Sequence, residues 1–341
     1  MWYYIKSFWY NMRIMNKKRQ VFFNCNRYGA LPVSVAVFSL LRSADPSRPL
    51  SIFVAHDTGF AAGGGCAKLR SIVDGFPFAD ISFIDFEPLF DRHADLLTCE
   101  HNQWTAMVWA LCFFPDLLPD ITGNLVFLDW DTLVFQDLAP LYDMDLAAEG
   151  MIEAAVSESP REHRPYLVAA GWPESAGPSI NYGVQVIDTE AYRREHVKER
   201  MLEWYAKYKS IAVCAEQDAL NAVCGDQIKR IPIKYNFYAS WIDRIPKHNP
   251  FNPRWRIHAT RDVLEGAAHP AIVHFIGHKK PWLKGYRSFR RDYRRIMREL
   301  GWMGKPIPGE GPIFRFIGLF ADAYHGLLRK YAALQLRLLY R

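Results

Sequence analysis

Short apolar runs and amphipathic stretches alternate along the first half of the chain. Val21, Phe22 and Phe23 open a first strand, residues 50–55 form a second and residues 81–86 a third. Runs of this length, rich in β-branched and aromatic residues and bounded by turn formers, have the pattern of buried strands. Residues 31–41 have helical periodicity, and Pro32 is tolerated in a first helical turn. Residues 61–65 (Ala-Ala-Gly-Gly-Gly) predict a flexible loop and residues 66–73 a short helix. The β-α-β-α-β order predicts an α/β protein with a mainly parallel central sheet flanked by helices. The glycines at 63–65 are not a phosphate loop, since they do not directly follow a strand and no Lys-Ser/Thr pair comes after them.

The alternation continues downstream. Trp104, Met107, Val108, Leu111 and Cys112 recur at helical spacing, which predicts a buried helix over 101–114 ended by Pro115. Residues 125–128 are a fully apolar strand, and 150–157 and 179–188 are two more. Residues 189–208 predict one amphipathic helix capped by Asp188 or Thr189, 216–221 open a short helix, 228–235 a strand, and 271–282 the last strand with its exit loop. Residues 159–178 hold four prolines (Pro160, Pro165, Pro173, Pro178) and predict a long loop, a kind of segment often used for binding.

Beyond this body, residues 299–312 are rich in proline and glycine and predict a linker. Ile313, Ile317, Phe320, Tyr324, Leu327, Leu328, Tyr331, Leu334 and Leu338 then recur at helical spacing, with Arg315, Arg329 and Arg337 largely off the stripe. Such a helix lies in the plane of a membrane interface or docks on the domain's own core; the linker and the basic residues favour the membrane. The expected organisation is a basic aromatic leader over 1–20, a catalytic-type α/β domain over 21–285, a basic segment and linker over 286–312, and the amphipathic helix over 313–341.

Charge adds to this picture. The 341 residues carry a net charge of +6, and the excess sits at the ends. Residues 1–20 hold Lys6, Arg13, Lys17, Lys18 and Arg19 without an acid, and residues 278–298 hold nine Lys and Arg against Asp292 alone. Basic ends with Trp2, Tyr3, Tyr4, Trp9 and Tyr10 suit an anionic membrane surface; a leader without structure accounts for residues 1–20 equally well. A nucleic-acid partner is hinted at only by residues 279–298, for which donor contact, a solvated helix face or lipid attraction are sufficient roles. Six cysteines without C-x-x-C spacing give no zinc pattern and no disulfide framework, which favours the cytosol. No stretch has the roughly 18 apolar residues of a spanning helix, and the N-terminus lacks the run and cleavage site of a signal peptide.

Candidate chemistry clusters where strands end. The apolar strand 125–128 runs into Asp129, Trp130 and Asp131. Two carboxylates brought to one side repel each other unless a cation lies between them, and Mg²⁺ or Mn²⁺ binds carboxylate and phosphate oxygens together. Caps of a turn are the plainer alternative. Ligands of parallel sheets sit outside the carboxyl ends of the strands, where residues 24–28 and 129–131 both fall. Glu216 and Asp218 suit the dipole of a helix start, which alone explains them. His274 at the end of an apolar strand is either a satisfied core histidine or a ligand; Gly277 and Lys280 after it suit a phosphate-facing loop.

Taken together, four separated motifs resemble glycosyltransferase family 8, retaining enzymes of the GT-A (Rossmann-like) fold, and within it the bacterial lipooligosaccharide galactosyltransferases. Asp129-Trp130-Asp131 is similar to the family's D-x-D, Asn181-Tyr182-Gly183-Val184 to its N-A-G-V, and residues 216–221 to its D-Q-D-x-L-N. Residues 274–282 are similar to its H-x-x-G-x-x-K-P-W. The resemblance implies Mn²⁺ (or Mg²⁺) held by Asp129, Asp131 and His274, with Gly277 and Lys280 on the donor diphosphate. It implies Glu158, Asn181, Gly183, Glu216, Gln217 and Asp218 around the sugar, Gln217 nearest the anomeric carbon, and Asn24, Asn26, Tyr28 and Trp130 on the nucleotide side. Transfer of a hexose from a nucleotide-diphosphate sugar, UDP-linked in the family, to a glycan or lipid-linked acceptor such as lipopolysaccharide is the implied activity. The implied location is cytoplasmic, on the inner face of the cell membrane. Cys25 stands where the family has an aspartate on uracil, Arg27 where it has an asparagine, Leu111 where it has an arginine and Tyr182 where it has a small residue. These departures keep a catalytically silent nucleotide-sugar-binding scaffold as the alternative. A nucleotidyltransferase would need a glycine- and arginine-rich loop that residues 24–29 lack.

Overall fold

In the computed structural model, which describes residues 19–97, 106–247, 257–302 and 312–340, ten strands form two sheets. The strands are β1 (Arg19–Cys25), β2 (Leu50–His56), β3 (Ala79–Asp85), β4 (Asn124–Leu128), β5 (Thr132–Val134), β6 (Glu153–Ser159), β7 (Ser179–Asp188), β8 (Ile228–Arg230), β9 (Phe237–Tyr238) and β10 (Ile272–His274). The main sheet has the order β3-β2-β1-β4-β7-β6-β8. β3, β2, β1 and β4 are parallel, β7 runs antiparallel between β4 and β6, and β8 pairs parallel with β6. β5, β10 and β9 make the small sheet.

Side chains alternate between the two faces of a strand, and both faces of this sheet are covered. Val21, Phe23, Val126 and Leu128 enter one core, which includes Val33, Val37 and Leu40 of α1 (Ala30–Ser43) and Leu69 of α2 (Gly65–Val73). Phe22, Leu125 and Phe127 enter the other, which holds Leu167 of α3 (Pro165–Ala169), Met201 and Tyr205 of α4 (Val197–Tyr208), and Leu220 of α5 (Ala215–Cys224).

Several elements depart from the sequence pattern. β1 starts at Arg19, so Arg19 and Gln20 belong to the sheet and not to a leader. The Arg19 side chain is buried, donating to the carbonyls of Asp45 (2.6 Å) and Pro49 (3.3 Å) and pairing with Asp137 (3.3 Å). The remaining leader, 1–18, lies outside the described residues. The single helix expected over 101–114 is not formed: residues 101–105 lie outside the described set, Ala106–Leu111 is a 3₁₀ segment, and a short helix Phe114–Leu117 follows. Pro115 sits in the first turn of that helix, where its missing N–H costs nothing, and so starts it instead of ending the one before. The helix expected over 189–208 breaks at His196, whose left-handed backbone (φ +51°) separates Thr189–Arg194 from α4. Asp188 caps the first piece by accepting from the Ala191 amide at 2.8 Å. β8 ends at Arg230 because Pro232 follows, and Ile233–Asn236 coils into a 3₁₀ turn. Of the loop expected over 61–65, Gly63 and Gly64 alone lie outside helices, since Thr58–Ala62 is helical and α2 begins at Gly65.

The C-terminal segments are α6 (Thr260–Ala268), α7 (Arg290–Glu299) and α8 (Pro312–Leu339). α8 packs along α6, with Leu328 and Ala332 buried. Asp322, His325 and Arg329 of α8 turn inward. His325 Nε2 meets Asp243 at 2.7 Å, Arg290 of α7 meets Asp322 at 2.8 Å, and Arg329 meets Asp292 at 3.4 Å beneath the rings of Phe135 and Phe289. The helix therefore does dock on the domain, but among the described side chains of the apolar stripe Leu328 is the one that the contact buries. Ile317, Phe320, Tyr324, Leu327, Tyr331, Leu334 and Leu338 all face outward. No helix among the described residues is long and apolar enough to cross a membrane.

Candidate active site

Asp129 and Asp131 occupy the turn between β4 and β5, and β10 runs antiparallel to β5 so that His274 pairs with Thr132. One ligand atom from each of Asp129, Asp131 and His274 lies within 4.8 Å of the other two. His274 Nε2 is 3.2 Å from Asp131 Oδ1 and 3.5 Å from Asp129 Oδ2. Its other nitrogen, Nδ1, donates to Asn236 Oδ1 at 3.0 Å. An amide oxygen only accepts, so Nδ1 carries a hydrogen, and Nε2 is the nitrogen that faces the two carboxylates, the one a metal would take in place of a proton. Gly183 supplies the floor: a Cβ there would overlap His274 Cε1 and Asp129 Oδ2. Two carboxylates, one imidazole and a cradle that only glycine leaves open fit a hard or borderline divalent cation.

Electrostatics agree with that donor set. Burial pushes the Asp129 carboxyl up to about 6, the Asp131 charge adds to the rise, and His274 and Lys280 oppose it. Burial acts on Asp131 in the same sense, but there His274 and Lys280 outweigh it and hold the carboxyl well below the usual range. Lys280 Nζ bonds Asp131 Oδ2 and donates to the Phe275 carbonyl at 2.7 Å. Gly277, in the same exit loop, has φ +84°, which glycine adopts without strain.

A chain of side-chain hydrogen bonds leads from the histidine to the start of α5. Asn236 Nδ2 donates to Asn181 Oδ1 at 2.8 Å, and Asn181 Nδ2 donates to Gln217 Oε1 at 3.3 Å. Gln217 Oε1 also accepts from the Tyr182 amide (3.0 Å), and Gln217 Nε2 donates to Glu158 Oε2 (2.8 Å). Glu158 further accepts from Arg164 Nη2 (2.9 Å) and Tyr238 OH (3.0 Å). Asp218 accepts from the amides of Val213 and Cys214, both at 2.8 Å, and from Tyr166 OH at 3.1 Å. It thereby ties the loop before α5 to its first turn. Burial, then the nearby Asp129 and Asp218, push the Glu216 carboxyl up to about 8 against a backbone hydrogen bond, and its Oε2 has no hydrogen-bond partner among the described residues.

The nucleotide-side residues named from the sequence lie at the exit of β1 and are used differently. Asn24 is buried and donates to the Met107 carbonyl at 2.8 Å, and Asn26 Oδ1 accepts from the Tyr28 amide at 3.0 Å. Tyr28 is 78% exposed, Cys25 and Leu111 are buried, and burial pushes the Cys25 thiol up. The Trp130 ring lies against Gly29, where an added Cβ would overlap it.

Arg164, Tyr166, Asn236 and Tyr238 were not singled out from the sequence. Arg164 and Tyr166 fall in the proline-rich stretch recognised as a binding loop, which folds into a 3₁₀ turn and α3. Asn236 follows directly on a predicted strand; the proline at 232 was the signal that the strand could not run that far.

The chain's relatives carry the same architecture. The family profile of Glycosyl transferase family 8 matches residues 20–285. General stress protein A of Bacillus subtilis is 26% identical over 274 residues, covering 79% of this chain and 90% of its own length. The solved structure of galactosyltransferase LgtC in complex with donor and acceptor sugar analogs superposes with a TM-score of 0.64 at 18% identity, over 84% of this chain and 97% of that one. The WbbM bifunctional glycosyltransferase superposes with a TM-score of 0.61 at 18% identity, over 85% of this chain and half of its own. The last two similarities give the fold, GT-A; the profile match gives the family, and the chain belongs to glycosyltransferase family 8.

Proposed function

We propose that this protein is a retaining, divalent-metal-dependent hexosyltransferase that uses a nucleotide-diphosphate sugar, UDP-linked in the first instance, and a glycan or lipid-linked acceptor of the lipopolysaccharide type. The observation that carries this reading is the cluster of Asp129, Asp131 and His274 beside Gln217 and Lys280. Asp129, Asp131 and His274 would hold Mn²⁺ or Mg²⁺, which would offset the negative charge that builds on the leaving diphosphate. Lys280 supplies a second positive charge at that edge. A preplaced donor of this kind is worth about 3–4 kcal/mol in the transition state.

The bond from the anomeric carbon to the diphosphate oxygen breaks, and a bond to the acceptor hydroxyl forms on the same face. The hydroxyl proton passes to the departing phosphate. Gln217 is a poor nucleophile, and its amide is held on both sides by Tyr182 N and Glu158. It therefore orients the sugar in an oxocarbenium-like transition state instead of attacking it. A covalent glycosyl adduct trapped on Glu216 or Asp218 of the wild-type protein would refute this front-face route.

The outward apolar face of α8 supports work at a membrane surface, the cytoplasmic face of the cell membrane being the place where nucleotide sugars and lipid-linked acceptors meet. The test is a panel of nucleotide sugars with and without Mn²⁺, followed by thermal shift and donor hydrolysis. Mn²⁺-dependent stabilisation and hydrolysis of one donor are expected. No response to any donor in folded protein would favour the second reading, a silent nucleotide-sugar-binding scaffold, which the buried Cys25 and Leu111 support.

A further inference from the structure

α7 has two unlike sides. Tyr293, Ile296 and Met297 are buried, and the Tyr293 ring lies 5.3 Å from Phe275 and 5.8 Å from Trp282. Arg291, Arg294, Arg295 and Arg298 follow one another at helical i, i+3, i+4 and i+7 spacing on the opposite side. Like charges at this spacing repel and weaken a helix unless counter-charge is supplied.

α8 faces this arginine row, and between the two helices lies a cavity of about 860 Å³. That is within the size range of small-molecule sites, roughly 300–1,000 Å³. Six guanidiniums line it, those of the row together with Arg290 and Arg329, against the carboxylates of Asp292 and Asp322. Both carboxylates are engaged. Asp322 pairs with Arg290 at 2.8 Å, and Asp292 pairs with Arg329 at 3.4 Å and Arg295 at 3.7 Å. Six guanidiniums against two carboxylates give the lining a net positive charge. His325 lines it too, is 6% exposed, and has its Nε2 on Asp243. Its Nδ1 is buried without a hydrogen-bond partner among the described residues.

α8 also contributes an apolar stretch of wall. Leu319 and Ala323 line the cavity, and Leu319 is also exposed, continuous along the helix with Phe316 and Phe320. Gly318 makes the approach feasible, because a Cβ there would overlap the Arg290 guanidinium.

We propose that this cavity binds the phosphate headgroup of an anionic phospholipid, with the acyl chains lying along the outward face of α8. The proposal rests on the membrane-surface reading above and gives it a defined contact. Guanidinium forks match phosphate oxygens in bidentate fashion, and arginine is less strongly hydrated than lysine, so it gives up water to a phosphate more readily. A free phosphate would use the arginines and leave Leu319, Phe316 and Phe320 uncovered; a phospholipid uses both halves.

The experiment titrates full-length protein by calorimetry with monomeric dihexanoyl phosphatidylglycerol, dihexanoyl phosphatidylcholine and inorganic phosphate. Phosphatidylglycerol is expected to bind about tenfold or more tighter than either of the others. Arg291→Gln combined with Arg298→Gln, both at exposed positions, is expected to weaken that binding about tenfold or more while donor hydrolysis and melting temperature stay unchanged. Phe320→Ser is expected to weaken the lipid and leave inorganic phosphate unaffected. Equal affinity for phosphate and phosphatidylglycerol would overturn the lipid assignment. Absence of binding, or binding indifferent to the arginine substitutions, would overturn the site. Co-sedimentation with phosphatidylcholine vesicles containing about one-fifth phosphatidylglycerol separates the two readings. Vesicle binding that persists in the arginine variant leaves the membrane reading standing and removes the headgroup site, and no vesicle binding removes both.

Discussion

The two ends of the candidate site are built by different means. At the metal end, side chains hold side chains: His274, Asn236, Asn181, Gln217 and Glu158 form one connected series, each member a partner of the next. At the β1 exit, side chains hold the backbone: Asn24 bonds a carbonyl and Asn26 a main-chain amide, while Tyr28 stands in solvent. A substitution at the first end disturbs the geometry of reacting groups, so its cost appears in chemistry. A substitution at the second disturbs the loop's support, so its cost appears in stability or in donor affinity.

The largest effect is expected from Asp131→Ala. Divalent-dependent donor hydrolysis should fall by roughly a thousandfold or more, because the variant loses a ligand and the partner of Lys280 together. Undiminished metal-dependent donor binding in a calorimetric titration would refute the site assignment. Gly183→Ala comes next, since its Cβ fills the space that His274 and Asp129 share; metal affinity should drop on the order of 10–100-fold. Asn236→Ala touches neither metal nor donor, yet it removes the acceptor that fixes the His274 ring. Metal affinity should fall about tenfold with only a small change in melting temperature.

The β1 exit should respond in the other way. Tyr28→Ala is expected to raise donor KM roughly tenfold through lost stacking, with kcat kept and no change in unfolding. Asn24→Ala should cost about 1–2 kcal/mol of stability through the orphaned Met107 carbonyl and change hydrolysis little. If Asn24→Ala instead abolished turnover without destabilising the fold, the contrast between the two ends would collapse.

The smallest effect concerns β6, whose two glutamates repeat the contrast within one strand. Glu158 at its end is fully partnered, whereas Glu153 is buried, its Oε2 has no hydrogen-bond partner among the described residues, and burial pushes its carboxyl up to about 8. A carboxyl raised in the folded state contributes stability that is full below the unfolded value near 4.5 and is lost as pH rises through about 8. The melting temperature should therefore decline between about pH 4.5 and 8 and level off above, and Glu153→Gln should flatten that decline. His258 acts at the opposite limb. Burial lowers it to about 4, so its contribution is present above the unfolded value of 6.5 and lost as pH falls through about 4.

Much of the metal end was legible in the chain. An apolar strand that stops at two aspartates, and another that stops at a histidine, are short-range patterns, and the β-α-β order brings strand ends together. Arg164, Tyr166 and Asn236 were not legible as site residues, because their roles depend on where a proline-rich turn and a 3₁₀ turn deliver them. The docking of α8 was hidden for a similar reason. Helical periodicity gave the apolar stripe correctly, but Arg329 finds Asp292 and two aromatic faces inside, and those are tertiary partners. The buried burden of α8 falls on Leu328, Ala332 and its charged contacts, which leaves the stripe outside.

The contact between Trp130 and Gly29 carries a thermodynamic consequence. The indole sits between the two aspartates in the sequence and rests on the backbone of the β1 exit, with no space for even a methyl group. With the nucleoside seated at the β1 exit, as the proposed function has it, a cation that drew Asp129 and Asp131 together would also move the ledge beneath it. Cation and nucleoside then share a linkage free energy, and each strengthens or weakens the other by the same factor. The affinity of either one measured alone will not predict the ternary complex.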